Sequence, residues 1–262
     1  MYDDLLDPLR SDPAAAAILC DIDGTLAPIV DDPAAAAVPQ ATRELLSALA
    51  ERYGLVGCLT GRRALDARRI VGVEEIAYAG NHGFEMLPPG AGTPAADPAV
   101  GGREEAARRF VATLGTERLL VAGIRVEDKG AIQALHWRGA FREADAADEA
   151  RALANLARAA GLVPRWGRKV LEIRPVAGID KGSAATRMLR ERGVAAALFG
   201  GDDVTDLDAF QALRWLSRSE RLRAAVCVGV ASSEQPEELA ARTDVVVDGP
   251  EGFVLLLEEL LP

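Results

Sequence analysis

The stretch Ala16-Ala17-Ile18-Leu19-Cys20-Asp21-Ile22-Asp23-Gly24-Thr25-Leu26 sets the reading of the whole chain. Its first five residues are apolar and read as a short strand. Two carboxylates, Asp21 and Asp23, follow at once. Gly24 then permits a turn that other residues resist. Apolar runs of this kind recur, each closed by a polar turn and followed by an amphipathic stretch. Residues 40–52 read as a helix with Leu45, Leu46 and Leu49 on one face. Residues 54–59 read as a strand ending at Thr60-Gly61-Arg62, and 75–79 as a strand ending at Gly80-Asn81-His82-Gly83. From Lys181 the same rhythm gives a helix over 181–192 closed by Gly193, and a strand over 195–199 ending in Gly200-Gly201-Asp202-Asp203. A helix over 206–213, a strand over 224–230, a helix over 235–242, a strand over 245–247 and a closing helix over 252–261 complete it. Strand, turn and helix in repetition predict an α/β domain with a parallel sheet.

Between these halves the pattern changes. Residues 87–102 are rich in Pro, Gly and Ala without a period and read as a linker. A helix over 103–114 follows, then strands over 119–127 and 131–137 around an Asp128-Lys129-Gly130 hairpin. A helix over 144–160 leads to strands over 162–166 and 169–173 around Gly167-Arg168. Helix–strand–strand, twice, predicts an antiparallel sheet with helices on one face. The chain is therefore expected to be a Rossmann-like α/β core, residues 1–102 and 176–262, interrupted by an α+β cap, residues 103–175.

Composition narrows the function classes. Of the 262 residues, 49% are hydrophobic, which excludes disorder of the whole chain. A net charge of −10 argues against nucleic acid and anionic membranes as partners. Cys20, Cys58 and Cys227 lie in apolar runs without a CxxC, so buried thiols are expected, not a disulfide or zinc framework. The opening residues do not read as a leader, and no apolar run reaches the ~18 residues of a membrane span, so a cytoplasmic protein is expected. Lysine is scarce: Lys129, Lys169 and Lys181 are the only three.

Polar clusters fall at the carboxyl ends of the expected strands, where ligands bind in such sheets. Asp21 and Asp23 could divide the labour of phosphoryl transfer. One carboxylate attacks phosphorus, and the other protonates the departing oxygen and later activates water. The cluster Gly200-Gly201-Asp202-Asp203-Val204-Thr205-Asp206 offers oxygen ligands that suit Mg²⁺. Asp203 and Asp206 are expected to support it, Asp206 as a helix cap. Lys181 opens a helix, where a cation makes sense only if an anion lies nearby. Thr60, Gly61 and Arg62 add a hydroxyl, amides and a guanidinium at another strand end.

D-x-D-G-T, then a strand-terminal Thr, then a Lys, then G-D-D-x-x-D resembles the haloacid dehalogenase superfamily of phosphohydrolases. Longer segments resemble the trehalose-6-phosphate phosphatases within it. They are Asp21–Ile29, Gly80-Asn81-His82-Gly83, Val126-Glu127-Asp128-Lys129, His136-Trp137-Arg138, residues 167–175 and residues 201–206. The resemblance implies an Mg²⁺-dependent phosphomonoesterase that hydrolyses trehalose 6-phosphate through an aspartyl phosphate. Asp21 would be the nucleophile, Asp23 the acid and base, and Thr60 and Lys181 the holders of phosphoryl oxygens. Asp21, the carbonyl of Asp23 and Asp202 would bind Mg²⁺. Glu127, Lys129, Arg138 and Glu172 would bind the sugar, and Lys169, Asn81, His82, Gly61 and Arg62 complete the expected substrate contacts. A sugar-phosphate substrate, a monomeric enzyme and a functional link to a trehalose-6-phosphate synthase are the expected partners and state. The same residues leave open a phosphatase for another sugar phosphate, a sugar phosphomutase, or a silent subunit beside a synthase.

Overall fold

The computed structural model describes residues 2–30, 35–167, 169–176, 178–232 and 235–262. Helix α1 (Asp3–Arg10) precedes strand β1 (Ala16–Cys20); α2 (Gln40–Arg52), β2 (Leu55–Leu59), α3 (Ala64–Val71) and β3 (Ala77–Gly80) follow. Two short strands, β4 (Glu85–Leu87) and β5 (Ala95–Ala96), come next. The middle of the chain forms α4 (Ala106–Thr113), α5 (Thr116–Val121), β6 (Arg125–Asp128), β7 (Gln133–His136), α6 (Glu143–Ala159), β8 (Val163–Gly167) and β9 (Val170–Arg174). The last part forms α7 (Lys181–Arg192), β10 (Ala196–Gly201), α8 (Asp206–Arg218), β11 (Ala224–Val230), α9 (Leu239–Arg242), β12 (Val245–Val247) and α10 (Gly249–Glu258).

The larger sheet runs β12-β11-β10-β1-β2-β3-β4-β5, parallel from β12 through β3 and antiparallel at β4. The period of two explains why β1 is apolar throughout. Ala16, Ile18 and Cys20 pack with Leu45, Leu46 and Leu49 of α2 and with Phe253 and Leu256 of α10. Ala17 and Leu19 pack on the other side with Ala184, Ala185 and Met188 of α7 and with Phe210 and Leu213 of α8. The chain leaves β1 toward β2 and β3 on one side and returns through β10, β11 and β12 on the other. The strand order therefore reverses beside β1, which makes the carboxyl ends of β1, β2 and β10 the place for a ligand.

The chain divides into two compact units, Met1–Ala95 with Ile179–Pro262, and Ala96–Gly178. The second unit carries an antiparallel sheet, β6-β7-β9-β8. Leu135, Leu171 and Ile173 point to one face, where Ala146, Ala150, Leu153 and Ala157 of α6 and Val111 of α4 cover them. The opposite face carries Glu127, His136, Arg165, Glu172 and Arg174 by the same alternation. Among the described residues, no helix is long and apolar enough to cross a membrane. All three cysteines are free and buried.

Several expectations need correction. Residues 119–127 are not one strand: α5 occupies the first part and β6 begins only at Arg125. Leu119 is buried while Leu120 and Val121 are 70% and 84% exposed, the one-sided burial of a helical turn. Gly115 and Gly123, both with positive φ, bracket that turn. The helix expected over 235–242 shrinks to α9: a turn leads into it instead, in which the Leu239 N–H donates to the Pro236 carbonyl at 3.1 Å. The closing helix starts earlier, at Gly249, with Pro250 in its first turn, where no intrahelical N–H is needed. Helix α8 continues to Arg218. Helix α1 and the antiparallel edge β4–β5 were not foreseen. The Arg168 half of the expected Gly167-Arg168 turn lies outside the described residues.

Candidate active site

The Asp21 N–H donates to the Gly200 carbonyl at 2.9 Å, extending the β1–β10 ladder by one residue and seating Asp21 at its end. The next residues fold back on themselves. The Ile22 carbonyl accepts N–H groups from Leu26 and Ala27, each at 2.9 Å, and the Gly24 N–H donates to Ala27 at 2.8 Å. Gly24 has φ +82°, and a Cβ there would lie 2.2 Å from Asp202 Oδ2, so only glycine lets the two loops meet. Thr25 is buried, and its hydroxyl donates to Asp202 Oδ1 at 3.2 Å.

Lys181 is the first residue of α7, whose start is fixed by a reciprocal cap between Asp180 and Ser183. Its ammonium is buried, 3.0 Å from Asp21 Oδ1 and 2.7 Å from Asp206 Oδ1. Asp206 is fully buried and not a simple helix cap. Its Oδ2 accepts the backbone N–H groups of Asp202 and Asp203 at 2.9 and 3.0 Å. Asp203 does the capping: its Oδ1 accepts from the Thr205 N–H and hydroxyl at 2.7 Å and from the Asp206 N–H at 3.2 Å.

Burial pushes the Asp21 carboxyl up to about 7; Lys181 opposes the rise, and Asp203, Asp202 and Asp23 add to it. Burial and Asp206 push Asp202 up to about 7 as well. Burial would also raise Asp203, but Lys181, the Thr205 hydroxyl and His82 outweigh it and hold Asp203 down to about 2. Lys181 stays well above its ordinary value, because Asp206, Asp21 and Asp203 outweigh its burial. Asp21, Asp202, Asp203 and Asp206 thus face one ammonium, an excess of negative charge that a phosphate dianion would deepen. Oxygen-only donors in such a field fit a divalent cation of the Mg²⁺ type. One oxygen each of Asp21, Asp202 and Asp206 lie within 4.8 Å of one another. Asp206 is a poor ligand nonetheless, since an ammonium and two N–H groups already occupy its carboxylate. Asp21 and Asp202 are the two that fit.

Thr60 ends β2 and is buried; its hydroxyl accepts the Arg62 N–H at 3.2 Å. Arg62 makes a two-point ion pair with Asp23, Nε to Oδ2 at 2.6 Å and Nη2 to Oδ1 at 2.7 Å. Asn81 and His82 both have positive φ, and their N–H groups donate to the Arg62 and Thr60 carbonyls at 2.7 and 2.8 Å. The His82 ring lies over Gly61, where a Cβ would come within 2.8 Å of it. Asp21, Asp23, Thr60, Gly61, Arg62, Asn81, His82, Lys181 and Asp202 therefore gather at the strand ends.

The second unit holds the remaining candidates in two groups. Glu172 is buried and accepts from Lys129 at 3.1 Å and from Arg174 Nε at 3.0 Å. Glu127 bonds His136 at 2.8 Å, a contact that holds its carboxyl below the usual range. Lys169 lies at the opposite end of the strands and pairs with Glu143 at 2.6 Å; Arg138 is exposed and acts on the same carboxylate. Sequence reasoning missed three residues: Thr25, Arg174 and Glu85. Arg174 was signalled by its two-residue spacing from Glu172 on one strand face. Glu85, whose Oε1 accepts the Ala64 N–H at 2.6 Å at the start of α3, left no local signal.

A family profile described as trehalose-phosphatase matches residues 19–243. The trehalose-phosphate phosphatase of Mycobacterium avium is 38% identical over 210 residues, covering 76% of this chain and 51% of that protein. A trehalose 6-phosphate phosphatase of Zea mays is 32% identical over 240 residues, covering 84% of this chain and 63% of its own. The chain spans about half the length of the mycobacterial phosphatase it matches. It spans 15% of an uncharacterized glycosyl hydrolase of Mycobacterium tuberculosis that is 37% identical over 210 residues. Among solved structures, the C-terminal domain of the Candida albicans trehalose-6-phosphate phosphatase has the same fold, with a TM-score of 0.78 at 19% identity, covering 99% of this chain and 96% of that one. With the family profile running from the last residues of β1 to beyond α9, through both acidic loops and Lys181, the chain belongs to the trehalose-phosphatase family.

Proposed function

We propose that this chain is a Mg²⁺-dependent phosphomonoesterase that converts trehalose 6-phosphate and water to trehalose and phosphate. The observation that carries the reading is the buried group of Asp21, Lys181 and Asp202 at the point where the strand order reverses. Asp21 attacks phosphorus through a carboxylate oxygen. As the P–O6 bond breaks, Asp23 gives its proton to O6, and trehalose departs. Water then attacks the phosphorus of the acyl phosphate and gives a proton to Asp23, and the P–O bond to Asp21 breaks to release phosphate. Lys181 and the Thr60 hydroxyl hold phosphoryl oxygens, and Lys181 also favours the ionised form of Asp21 against its burial. Mg²⁺, held by Asp21, Asp202 and the carbonyl of Asp23, would offset phosphoryl charge. The larger unit is read as the catalytic one and the inserted unit as the sugar-recognising one. Buried Glu172 with Lys129 is the strongest polar group there for fixing hydroxyls.

The deciding experiment measures phosphate release from a panel of sugar phosphates with Mg²⁺ and with EDTA. Trehalose 6-phosphate is expected to lead the panel, and EDTA to abolish release. A different leading sugar would overturn the substrate, and an isomerised sugar phosphate without free phosphate would indicate a mutase.

A second expectation concerns pH. In the metal-free fold, Asp21 and Asp202 keep protons up to about pH 7, whereas unfolded carboxyls lose theirs near pH ~4. The native state binds more protons across that window, so stability falls as pH rises through it. A cation held by the two carboxylates removes this penalty. Calorimetry is expected to show that Mg²⁺ raises Tm more at about pH 8 than at about pH 5. Equal increments would remove these two carboxylates from the metal site.

A further inference from the structure

We infer that Arg62 is a positioning residue that aims Asp23 at the reacting atoms. The inference rests on the reading of Asp23 as acid and base, and it gives Arg62 a task other than the substrate contact implied by family resemblance. Asp23 sits in the turn after β1 with its side chain 36% exposed. A short carboxylate in that situation has several rotamers open to it. Among the described residues, Arg62 alone hydrogen-bonds the Asp23 side chain, and it takes both oxygens, at 2.6 and 2.7 Å. A planar two-point fork fixes the direction and the plane of a carboxylate, which a single lysine contact does not.

The fork is itself held. The Arg62 side chain is only 19% exposed. Its backbone is tied on both sides, by the Asn81 N–H to its carbonyl at 2.7 Å and by its own N–H to the Thr60 hydroxyl at 3.2 Å. Two residues before, the Thr60 carbonyl accepts the His82 N–H at 2.8 Å; two residues after, Ala64 gives its N–H to Glu85 at 2.6 Å. The Thr60–Ala64 turn is thus pinned at three points to the segment Asn81–Glu85 that leaves β3 and enters β4, and braced once within itself. A rigid turn presenting a rigid fork is the arrangement that turns a loose acid into an aligned one, and misalignment by about 1 Å can cost on the order of 10²-fold in rate.

The test separates aiming from binding. Arg62→Ala, Arg62→Lys, Asp23→Asn and the double variant Arg62→Ala/Asp23→Asn are assayed with trehalose 6-phosphate. They are also assayed with p-nitrophenyl phosphate, whose leaving group needs no proton. With trehalose 6-phosphate, Arg62→Ala is expected to lose about 10²-fold in kcat, within the range of acid–base catalysis, with KM nearly unchanged. With p-nitrophenyl phosphate in rapid mixing, one equivalent of nitrophenolate should appear quickly, followed by slow turnover, because only the water step still needs Asp23. The double variant should be no slower than Asp23→Asn alone. Arg62→Lys, which keeps the charge but not the fork, should fall between wild type and Arg62→Ala. It also keeps the test alive if the alanine variant unfolds. A rise in KM with kcat kept, loss of the rapid phase, or additive losses in the double variant would each overturn the inference. Failure of the underlying reading looks different: Asp23→Asn would then retain full turnover.

Discussion

Asp21→Asn is expected to abolish phosphate release, by at least about 10⁴-fold, because removing a nucleophile that acts in concert with its neighbours typically costs 10⁴–10⁶ in kcat. The amide nitrogen has no lone pair available for attack, and the amide oxygen is far less nucleophilic than a carboxylate. The fold should survive. Asp21 is a buried carboxyl pushed up to about 7, so at neutral pH its charge is costly to the native state. A neutral isostere relieves that cost, and Lys181 keeps Asp206 at 2.7 Å as its counter-ion. Tm at about pH 8 is therefore expected to equal or exceed that of wild type while activity vanishes. A folded variant that still turns over would place the nucleophile elsewhere. In wild type, denaturation during turnover should trap one phosphate per chain as an acid-stable, hydroxylamine-labile adduct that the variant lacks. Activity with no such adduct on Asp21 would favour direct attack by water.

Legibility followed the range of the interactions. Strand β1, the acidic turn after it and the return of the β–α rhythm after Lys181 were readable, because burial on both faces and rare charged residues at strand ends leave local marks. Helix α5 was not. Leu119-Leu120-Val121 is apolar whichever structure it takes, and only the burial of Leu119 against the rest of its unit decides the matter. The roles of Asp23 and Arg62 could be guessed separately, but they lie 39 positions apart, and nothing local announces their pairing. Arg138 and Lys169 show the same limit from the other side. Both stood in motifs beside strand turns, yet the register places Lys169 at the far end of the sheet from Lys129, beside Glu143. Asp206 was seen as a member of an acidic cluster. Which of those carboxylates takes a cation and which takes N–H donors depends on α7 and α8 meeting, a tertiary fact.

That division of labour makes Asp206→Ala the variant with the largest expected effect on stability. Its carboxylate is fully buried, and three donors converge on it: the Lys181 ammonium at 2.7 Å and the Asp202 and Asp203 amides at 2.9 and 3.0 Å. Truncation strands the two amides and leaves the ammonium with Asp21 alone, at 3.0 Å. Breaking one partner out of a buried ion pair typically costs about 3–5 kcal/mol, and each orphaned buried N–H adds about 1–3 kcal/mol unless water reaches it. For a chain of this size about 2–4 °C in Tm accompanies each kcal/mol, so a fall on the order of 10 °C or more is expected by calorimetry. Asp203→Ala is the internal control. It removes a cap whose partners lie at the start of α8, worth about 1 kcal/mol. The cause can be isolated with Lys181→Met. If the ion pair is the main term, Asp206→Ala in the Lys181→Met background should cost markedly less than in wild type, by roughly 1–3 kcal/mol of coupling. Equal costs in the two backgrounds would assign the stability to the loop amides. Catalysis should fail in either case. Without Asp206, the Asp202 backbone loses the acceptor that fixes its amide, and Lys181 is left with Asp21 as its one ion-pair partner within 4 Å among the described residues.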